Sequence, residues 1–120
     1  MTKKILIVDD SLFMRTILKD MLSDKYKIIE AVSGSQAKQK FKEEKPDLIL
    51  LDIIMPDGEE EGIKVLRKIR KDNPKTKVVM ISAVGQDAIV NECKKLGAID
   101  FIIKPFDREE VIKVVHKCLD

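Results

Sequence analysis

Apolar residues follow two spacings along this chain, and the two spacings alternate. Five stretches of three to six residues are mostly apolar and lack regular polar alternation: residues 5–8, 27–32, 48–51, 77–81 and 101–103. Runs this short and this apolar are typical of strands buried on both faces of a parallel sheet. We therefore predict five β-strands.

A helical spacing of apolar residues follows each predicted strand. Ser11 is the predicted cap of a first helix, in which apolar residues recur every third or fourth position as far as Leu22. Four more helices are predicted at about residues 35–44, 62–72, 86–96 and 108–119. This alternation predicts one α/β domain over residues 1–120, built on a single doubly wound five-stranded parallel sheet with helices on both faces.

Composition excludes several classes of protein. The 23 basic and 21 acidic residues nearly balance and no basic run concentrates charge, so nucleic acid is not an expected partner. No apolar run approaches the roughly 20 residues of a membrane-spanning helix, so membrane insertion is not expected. Cys93 and Cys118 have neither metal-ligand nor redox spacing and are interpreted as small apolar residues. The expected location is the cytoplasm.

Polar side chains of reactive types follow four of the five predicted strands. In chain order they are Asp9 with Asp10, Asp52, Ser82 and Lys104. Because parallel strands end at the same edge of a sheet, these five side chains are predicted to converge although they span most of the chain.

The predicted cluster has a definite chemistry. Three carboxylates in one cleft repel each other, so they must share protons or hold a cation. Carboxylate oxygens suit Mg²⁺, which also accepts phosphate oxygens. A Lys ammonium and a Ser hydroxyl beside them would stabilise a phosphoryl group in transfer, with one carboxylate as nucleophile. Each residue alone also fits a strand-end cap or a simple ion pair, but their coincidence at four strand ends favours a site.

Four motifs stand at these strand ends, in this order: Val8-Asp9-Asp10-Ser11, Leu51-Asp52-Ile53-Ile54-Met55-Pro56, Ile81-Ser82-Ala83 and Phe101-Ile102-Ile103-Lys104-Pro105-Phe106. With them the chain resembles, over its whole length, the receiver domain of two-component response regulators. Residues 10–15 and 82–86 look most like stand-alone chemotaxis receivers of the CheY type. The resemblance implies a flavodoxin-like (CheY-like) sheet with the strand order 2-1-3-4-5.

The resemblance also implies a role for each site residue. Asp52 matches the phosphoacceptor and Lys104 the phosphate-binding lysine, whose bond to Pro105 is expected to be cis. Ser82 matches the switch hydroxyl and Phe101 the switch aromatic. The implied cofactor is Mg²⁺, held by Asp9, Asp10, Asp52 and the backbone carbonyl of Ile54. Such domains catalyse their own phosphorylation and act mainly as switches between two states.

Partner surfaces are expected in two places. Phe13 and Val90 are apolar residues that lie off the buried stripes of their helices, and each fits a contact residue or a scattered surface apolar equally well. The resemblance adds Gly85, Phe101 and Ile103, on the face formed by the fourth helix, fifth strand and fifth helix. The implied partners of a monomer are a sensor or chemotaxis histidine kinase, an output protein such as the flagellar motor switch, and a phosphatase.

The connection after Pro56 departs from the family pattern. The family places a Gly four residues after this Pro, whereas Gly62 comes six residues after it and the intervening residues 57–61 are mostly acidic. One interpretation is that Glu59 to Glu61 favour the positive N-terminus of the third helix. The other is that these carboxylates tune metal affinity or partner choice.

Two apolar residues bear on the lifetime of the phosphorylated state. Ile54 and Val84 should flank the path of a water that attacks phosphorylated Asp52, and neither can orient a water. Slow self-dephosphorylation is therefore expected.

Other functions remain open within and outside the family. A phosphorelay intermediate, a phosphate sink and a receiver cut from a DNA-binding response regulator are the alternatives within it. A flavodoxin would need a Ser/Thr/Gly-rich phosphate loop where Asp9 and Asp10 stand. A haloacid-dehalogenase-like phosphohydrolase would carry its nucleophilic Asp after the first strand, with another Asp two residues later.

Overall fold

The computed structural model describes residues 2–120 and contains five strands that alternate with five helices. The strands are β1 (Lys4–Val8), β2 (Lys27–Ala31), β3 (Leu48–Leu51), β4 (Lys77–Ser82) and β5 (Asp100–Ile103). The helices are α1 (Leu12–Leu22), α2 (Gly34–Glu44), α3 (Glu61–Asp72), α4 (Asp87–Lys95) and α5 (Arg108–Leu119). None of the helices in this described part of the chain has the length and apolar character needed to cross a membrane.

All strand pairs are parallel, and the order across the sheet is β2-β1-β3-β4-β5. The predicted flavodoxin-like order is therefore confirmed. β2 lies on one side of β1, and β3 to β5 follow on the other side, so the topological switch point lies between β1 and β3. These two strands pair with Ile5 opposite Leu48. Open α/β sheets place their sites at the carboxyl edge beside such a switch point.

The central strand separates two apolar cores because its side chains alternate between the faces of the sheet. Ile49 and Leu51 lie in the core beneath α2, α3 and α4. Leu48 and Leu50 lie in the core beneath α1 and α5. All four are at most 1% exposed, so β3 is buried on both faces, as its unbroken apolar run predicts.

Local signals place several element ends within one or two residues of prediction. The Ser11 hydroxyl accepts a hydrogen bond from the Met14 amide at 3.2 Å and caps α1. Gly97 follows α4 with a φ of +106°, a conformation that side chains with a Cβ rarely adopt. Val32, predicted to end the second strand, lies just outside β2 and is exposed.

Candidate functional site

Four strands deliver polar residues to one edge of the sheet. Asp9 follows β1, Asp52 follows β3, Ser82 ends β4 and Lys104 follows β5. The first three are nearly inaccessible, at 3%, 8% and 1% exposure. Burial of this degree is unusual for carboxylates and requires compensating partners.

Lys104 supplies the compensating charge. Its Nζ atom lies 2.6 Å from Asp9 Oδ2 and 2.8 Å from Asp52 Oδ2, so one ammonium bridges two carboxylates. The remaining oxygens are also engaged: the Ser11 amide donates to Asp9 Oδ1 at 2.9 Å, and the Ile53 amide donates to Asp52 Oδ1 at 2.7 Å. Both carboxylates are therefore fixed in orientation.

Asp10 completes an acidic cluster with Asp9 and Asp52. One carboxylate oxygen from each of the three lies within 4.8 Å of the others. Asp10 is exposed while the other two are buried, so the cluster opens to solvent on one side. Hard oxygen donors that leave an open side fit Mg²⁺, which retains waters and binds phosphate oxygens.

Burial and neighbouring charges shift the pKa values of Asp52 and Lys104. Burial raises the pKa of Asp52 above its ordinary value, and the hydrogen bond and charge of Lys104 only partly oppose this effect. Burial alone would lower the pKa of Lys104, but hydrogen bonds to Asp52 and Asp9 outweigh it and raise that pKa. Lys104 therefore stays charged. Its single positive charge is not enough to hold the pKa of Asp52 at the ordinary value.

The residues predicted to act in the switch and in partner binding lie on β4, on β5 and in the segment after β4. Ser82 Oγ accepts a hydrogen bond from the Val84 amide at 3.2 Å. Phe101 is half-buried against the core beneath α4. Gly85 lies against the Ile103 side chain, which is 47% exposed, since a Cβ added at Gly85 would be 2.8 Å from Ile103 Cδ1.

The two apolar residues predicted off their helical stripes differ in exposure. Phe13 is 74% exposed on α1, next to the acidic pair. Val90 is half-buried on α4. Phe13 lies on α1, which packs against β1 and β2, whereas α4 packs against β5. Phe13 and the α4–β5 residues therefore form two separate candidate surfaces.

Comparison with known proteins identifies the family. The response regulator receiver domain family matches residues 5–116. The chain belongs to this family. The peptide bond between Lys104 and Pro105 is cis, as the resemblance implied for the lysine of a receiver domain.

Individual relatives place this receiver domain near the chemotaxis proteins. It is 44% identical over 119 residues to the chemotaxis protein CheY of Thermotoga maritima, with 98% of each chain covered. It is 41% identical over 122 residues to CheY of Bacillus subtilis, with both chains fully covered. The signal receiver domain of a LuxO-type repressor from Vibrio parahaemolyticus superposes with a TM-score of 0.93 at 29% identity, covering 99% of this chain and 91% of that chain. The chain is thus a CheY-like receiver.

The acidic connection of this receiver domain contains a tight hairpin. Met55 and Gly58 exchange two backbone hydrogen bonds, of 3.0 and 3.1 Å, across Pro56 and Asp57. Gly62 then packs against the strand end, where an added Cβ would lie only 2.0 Å from the Asp52 carbonyl oxygen. Gly62 therefore has a steric reason to be glycine, and the hairpin lies in the connection between Pro56 and this glycine.

Two acidic side chains of this connection, Asp57 and Glu61, contact α2, and no side-chain cap is made at the N-terminus of α3 in the described part of the chain. Both Asp57 oxygens accept hydrogen bonds from the first amides of α2, and the Glu61 carboxylate pairs with Lys38 of α2 at 3.3 Å. Glu61 lies in the first turn of α3, while Glu60 at its N-cap makes no side-chain capping bond. The interpretation that Glu59 to Glu61 serve the N-terminus of α3 thus holds by position for Glu61, but sequence reasoning missed the contact with α2.

Sequence reasoning also missed Arg15, a charged residue on the buried face of α1. It is 9% exposed; its Nη1 donates to the Asp9 carbonyl at 2.8 Å and its Nε donates to Glu30 Oε1 at 3.1 Å. Arg15 thereby fixes the backbone of a residue in the acidic cluster. Its spacing of three and seven residues from Leu18 and Leu22, which share its buried face, was the available signal.

Proposed function

We propose that this receiver domain, taken as residues 1–120, is a phosphorylation-activated chemotaxis switch whose Asp52 accepts a phosphoryl group from the phosphohistidine of a kinase. The observation that carries the proposal is the buried Asp52 carboxylate, 2.8 Å from the Lys104 ammonium and within 4.8 Å of two further acidic oxygens. A carboxylate beside one cation, in a cluster that fits a second cation, can attack phosphorus as a nucleophile. The two cations would stabilise the negative charge that develops on the phosphoryl oxygens.

In the proposed transfer, an Asp52 oxygen attacks the phosphorus while the phosphorus–nitrogen bond of the donor histidine breaks. The electron pair of that bond stays on the imidazole nitrogen, and the phosphoryl group moves to the carboxylate. Lys104 is placed to pair with the transferred oxygens, since it already contacts the acceptor. Asp9, Asp10, Asp52 and the Ile54 carbonyl would hold Mg²⁺, which supplies neutralisation of the phosphoryl charge when bound.

The proposed switch begins at Ser82. Its hydroxyl accepts from the Val84 amide and faces the Asp52 carboxylate, so its own proton would turn from that carboxylate to a phosphoryl oxygen bound there. Movement of Ser82 and its loop would open space for Phe101, which is half-buried and packs against the α4 core. An output protein would bind the rearranged face through Gly85, Val90, Phe101 and Ile103. Phosphorylation would thus shift the population between two conformational states.

The proposed partners follow from the two separate surfaces. Phe13, exposed beside the acidic pair, suits the docking of a histidine kinase domain that must bring its phosphohistidine to Asp52. The α4–β5–α5 face suits the output protein. The chemotaxis proteins among the relatives support an output in chemotaxis, and we expect a flagellar motor switch as that output. A phosphatase is a third partner of such a switch. We expect the domain to act as a monomer in the cytoplasm.

Beryllofluoride, a mimic of the aspartyl phosphate, tests this proposal. Protein activated with beryllofluoride and Mg²⁺ should capture a flagellar switch protein, and Asp52→Asn should not, because it lacks the carboxylate that the mimic needs. Equal capture by both forms would contradict the phospho-switch. Selective capture of a phosphotransfer protein in place of the motor switch would contradict chemotaxis output and point to a phosphorelay.

A further inference from the structure

The N-terminus of α2 is capped from two directions. Its own N-cap, Ser33, accepts a hydrogen bond from the Gln36 amide at 3.2 Å. Asp57, more than 20 positions later in the chain, accepts hydrogen bonds from the Gly34 amide at Oδ1 and from the Ser35 amide at Oδ2, both at 3.1 Å. The bond from Gly34 is the main reason that the pKa of Asp57 lies below its ordinary value. A carboxylate on two amides at the positive end of a helix is a favourable contact.

The same Asp57 sits at the tip of the hairpin that follows the phosphoacceptor. The two Met55–Gly58 backbone bonds flank it, and the Gly62 amide donates to the Ile53 carbonyl at 2.8 Å on the far side. Only two residues, Met55 and Pro56, separate Asp57 from Ile54. The hairpin is therefore short and internally bonded, and it begins directly after Ile54.

A second contact holds the hairpin and α2 together. The Glu61 side chain is nearly buried and packs on Gly34, where an added Cβ would lie 2.2 Å from Glu61 Cγ. Its carboxylate also pairs with Lys38 at 3.3 Å. The connection therefore contacts α2 at two points, through Asp57 at the hairpin tip and through Glu61 at the start of α3.

We propose that Asp57 is a positioning residue for the metal site: by binding the N-terminus of α2, it fixes the loop that presents the Ile54 carbonyl to Mg²⁺. This inference rests on the proposed function, in which that carbonyl is a ligand. We do not assign Asp57 as a ligand, since it is not a member of the acidic cluster formed by Asp9, Asp10 and Asp52. Outer contacts that orient ligands commonly change metal affinity by about 10 to 100-fold.

Coupling of this kind is reciprocal. If the α2 contact favours the loop conformation that binds Mg²⁺, then Mg²⁺ must in turn strengthen the α2 contact. The amides of Gly34 and Ser35 should therefore exchange with solvent more slowly when Mg²⁺ is present. The effect should vanish in Asp57→Ala, which lacks the carboxylate.

Calorimetric titration of Mg²⁺ into the purified domain tests the inference with two matched controls. Asp57→Ala should bind Mg²⁺ about tenfold more weakly, at the low end of the range for outer contacts. Ser33→Ala removes a cap from the same helix without touching the hairpin, so it should lower the melting temperature and leave Mg²⁺ affinity within about twofold. Glu59→Gln removes a charge from the same loop at an exposed site and should also leave the affinity unchanged.

Each alternative outcome has a separate meaning. Tight Mg²⁺ binding by Asp57→Ala, or an equal loss in Ser33→Ala or Glu59→Gln, would overturn the positioning role. Failure of the wild-type domain to bind Mg²⁺ would instead contradict the proposed function. If Asp57→Ala does not fold, Asp57→Asn keeps one acceptor, so Mg²⁺-induced protection should be lost at one of the two amides, Gly34 or Ser35, and wild-type protection at both amides would overturn the role.

Discussion

The Lys104 ammonium lies 2.8 Å from the carboxylate of Asp52, although 52 positions separate them in the chain. The same ammonium contacts Asp9 at 2.6 Å, and its side chain is only 16% exposed. Lys104 therefore offsets part of the negative charge of the two buried carboxylates, and in the proposed function it also pairs with the incoming phosphoryl group. Its two roles can be separated by measuring stability and phosphorylation independently.

Replacement of Lys104 by Met should lower the free energy of unfolding by about 2–3 kcal/mol in the presence of a chelator. The loss leaves two buried carboxylates without a cation, which is strongly unfavourable in a site of low polarity. Added Mg²⁺ should reduce the deficit, because it supplies positive charge to the same oxygens. Urea unfolding measures both effects.

Lys25→Met is the matched control for this change. Lys25 also contacts a carboxylate, that of Asp120 at 2.6 Å, but its side chain is 56% exposed. An exposed pair contributes less than about 1 kcal/mol. Equal losses in the two variants would contradict the special role of burial at Lys104.

Gly62→Ala should displace the phosphoacceptor. The new Cβ would lie 2.0 Å from the Asp52 carbonyl oxygen, a backbone atom that cannot turn aside. We expect a loss of about 1–3 kcal/mol in stability and a large fall in phosphorylation by a small-molecule phosphodonor. At Gly58, by contrast, the nearest atom to an added Cβ is 3.6 Å away, so Gly58→Ala should be tolerated. Full phosphorylation of Gly62→Ala would contradict the steric argument.

The double variant Ile54→Asn, Val84→Glu should release phosphate at least about tenfold faster than the wild type. Polar groups at these two positions can orient a water toward phosphorylated Asp52, whereas the apolar wild-type side chains cannot. Ile54 is 46% exposed at the site edge, so a polar replacement should not disturb the core. Ile99→Asn, at a comparably exposed position away from the site, serves as the control. Wild-type release as fast as that of the double variant would be evidence against slow self-dephosphorylation.

Arg15→Lys should destabilise the domain by about 2 kcal/mol despite the conserved charge. Lysine cannot make both bonds of the guanidinium, to the Asp9 carbonyl and to Glu30, so a buried acceptor loses its partner. Lys19→Met, which removes the other and more exposed partner of Glu30, should cost less than about 1 kcal/mol. Thermal or urea unfolding distinguishes the two, and a smaller loss in Arg15→Lys than in Lys19→Met would be inconsistent with the buried network.

Tyr26 provides a pH-dependent test of packing at the opposite edge of the sheet. Burial, with the hydrogen bond to Asp120, raises its pKa to about 12. Between pH of about 10, where a free tyrosine ionises, and 12, only the unfolded chain loses this proton, so the free energy of unfolding falls as pH rises. In Tyr26→Phe the free energy of unfolding should fall less over this pH range, because the phenol that ionises is absent. The chain has one Tyr and no Trp, so tyrosinate absorbance reports this group alone, and a midpoint near 10 would refute the prediction.

Sequence patterns predicted the parts of this protein that depend on local spacing. The unbroken apolar run before Asp52 identified a strand buried on both faces, and the shared edge of parallel strands placed Asp9, Asp52 and Lys104 together. Contacts between residues far apart in the chain, made by side chains that are common in loops, are not predicted by any spacing in the sequence. Asp57 looks like any loop carboxylate, and only the folded chain brings it to the first amides of α2.

The separation of the two cores by the sheet has a consequence for signalling. Of the two helices on the proposed output face, α4 is anchored by Cys93 in one core, and α5 by Val111 and Val115 in the other. Phe101 packs with the α4 core, whereas its neighbour Ile102 belongs to the α5 core. In the proposed switch, a rotation of Phe101 would therefore disturb the core that holds α4 and leave the core that holds α5 unchanged, so that α4 would move relative to a fixed α5.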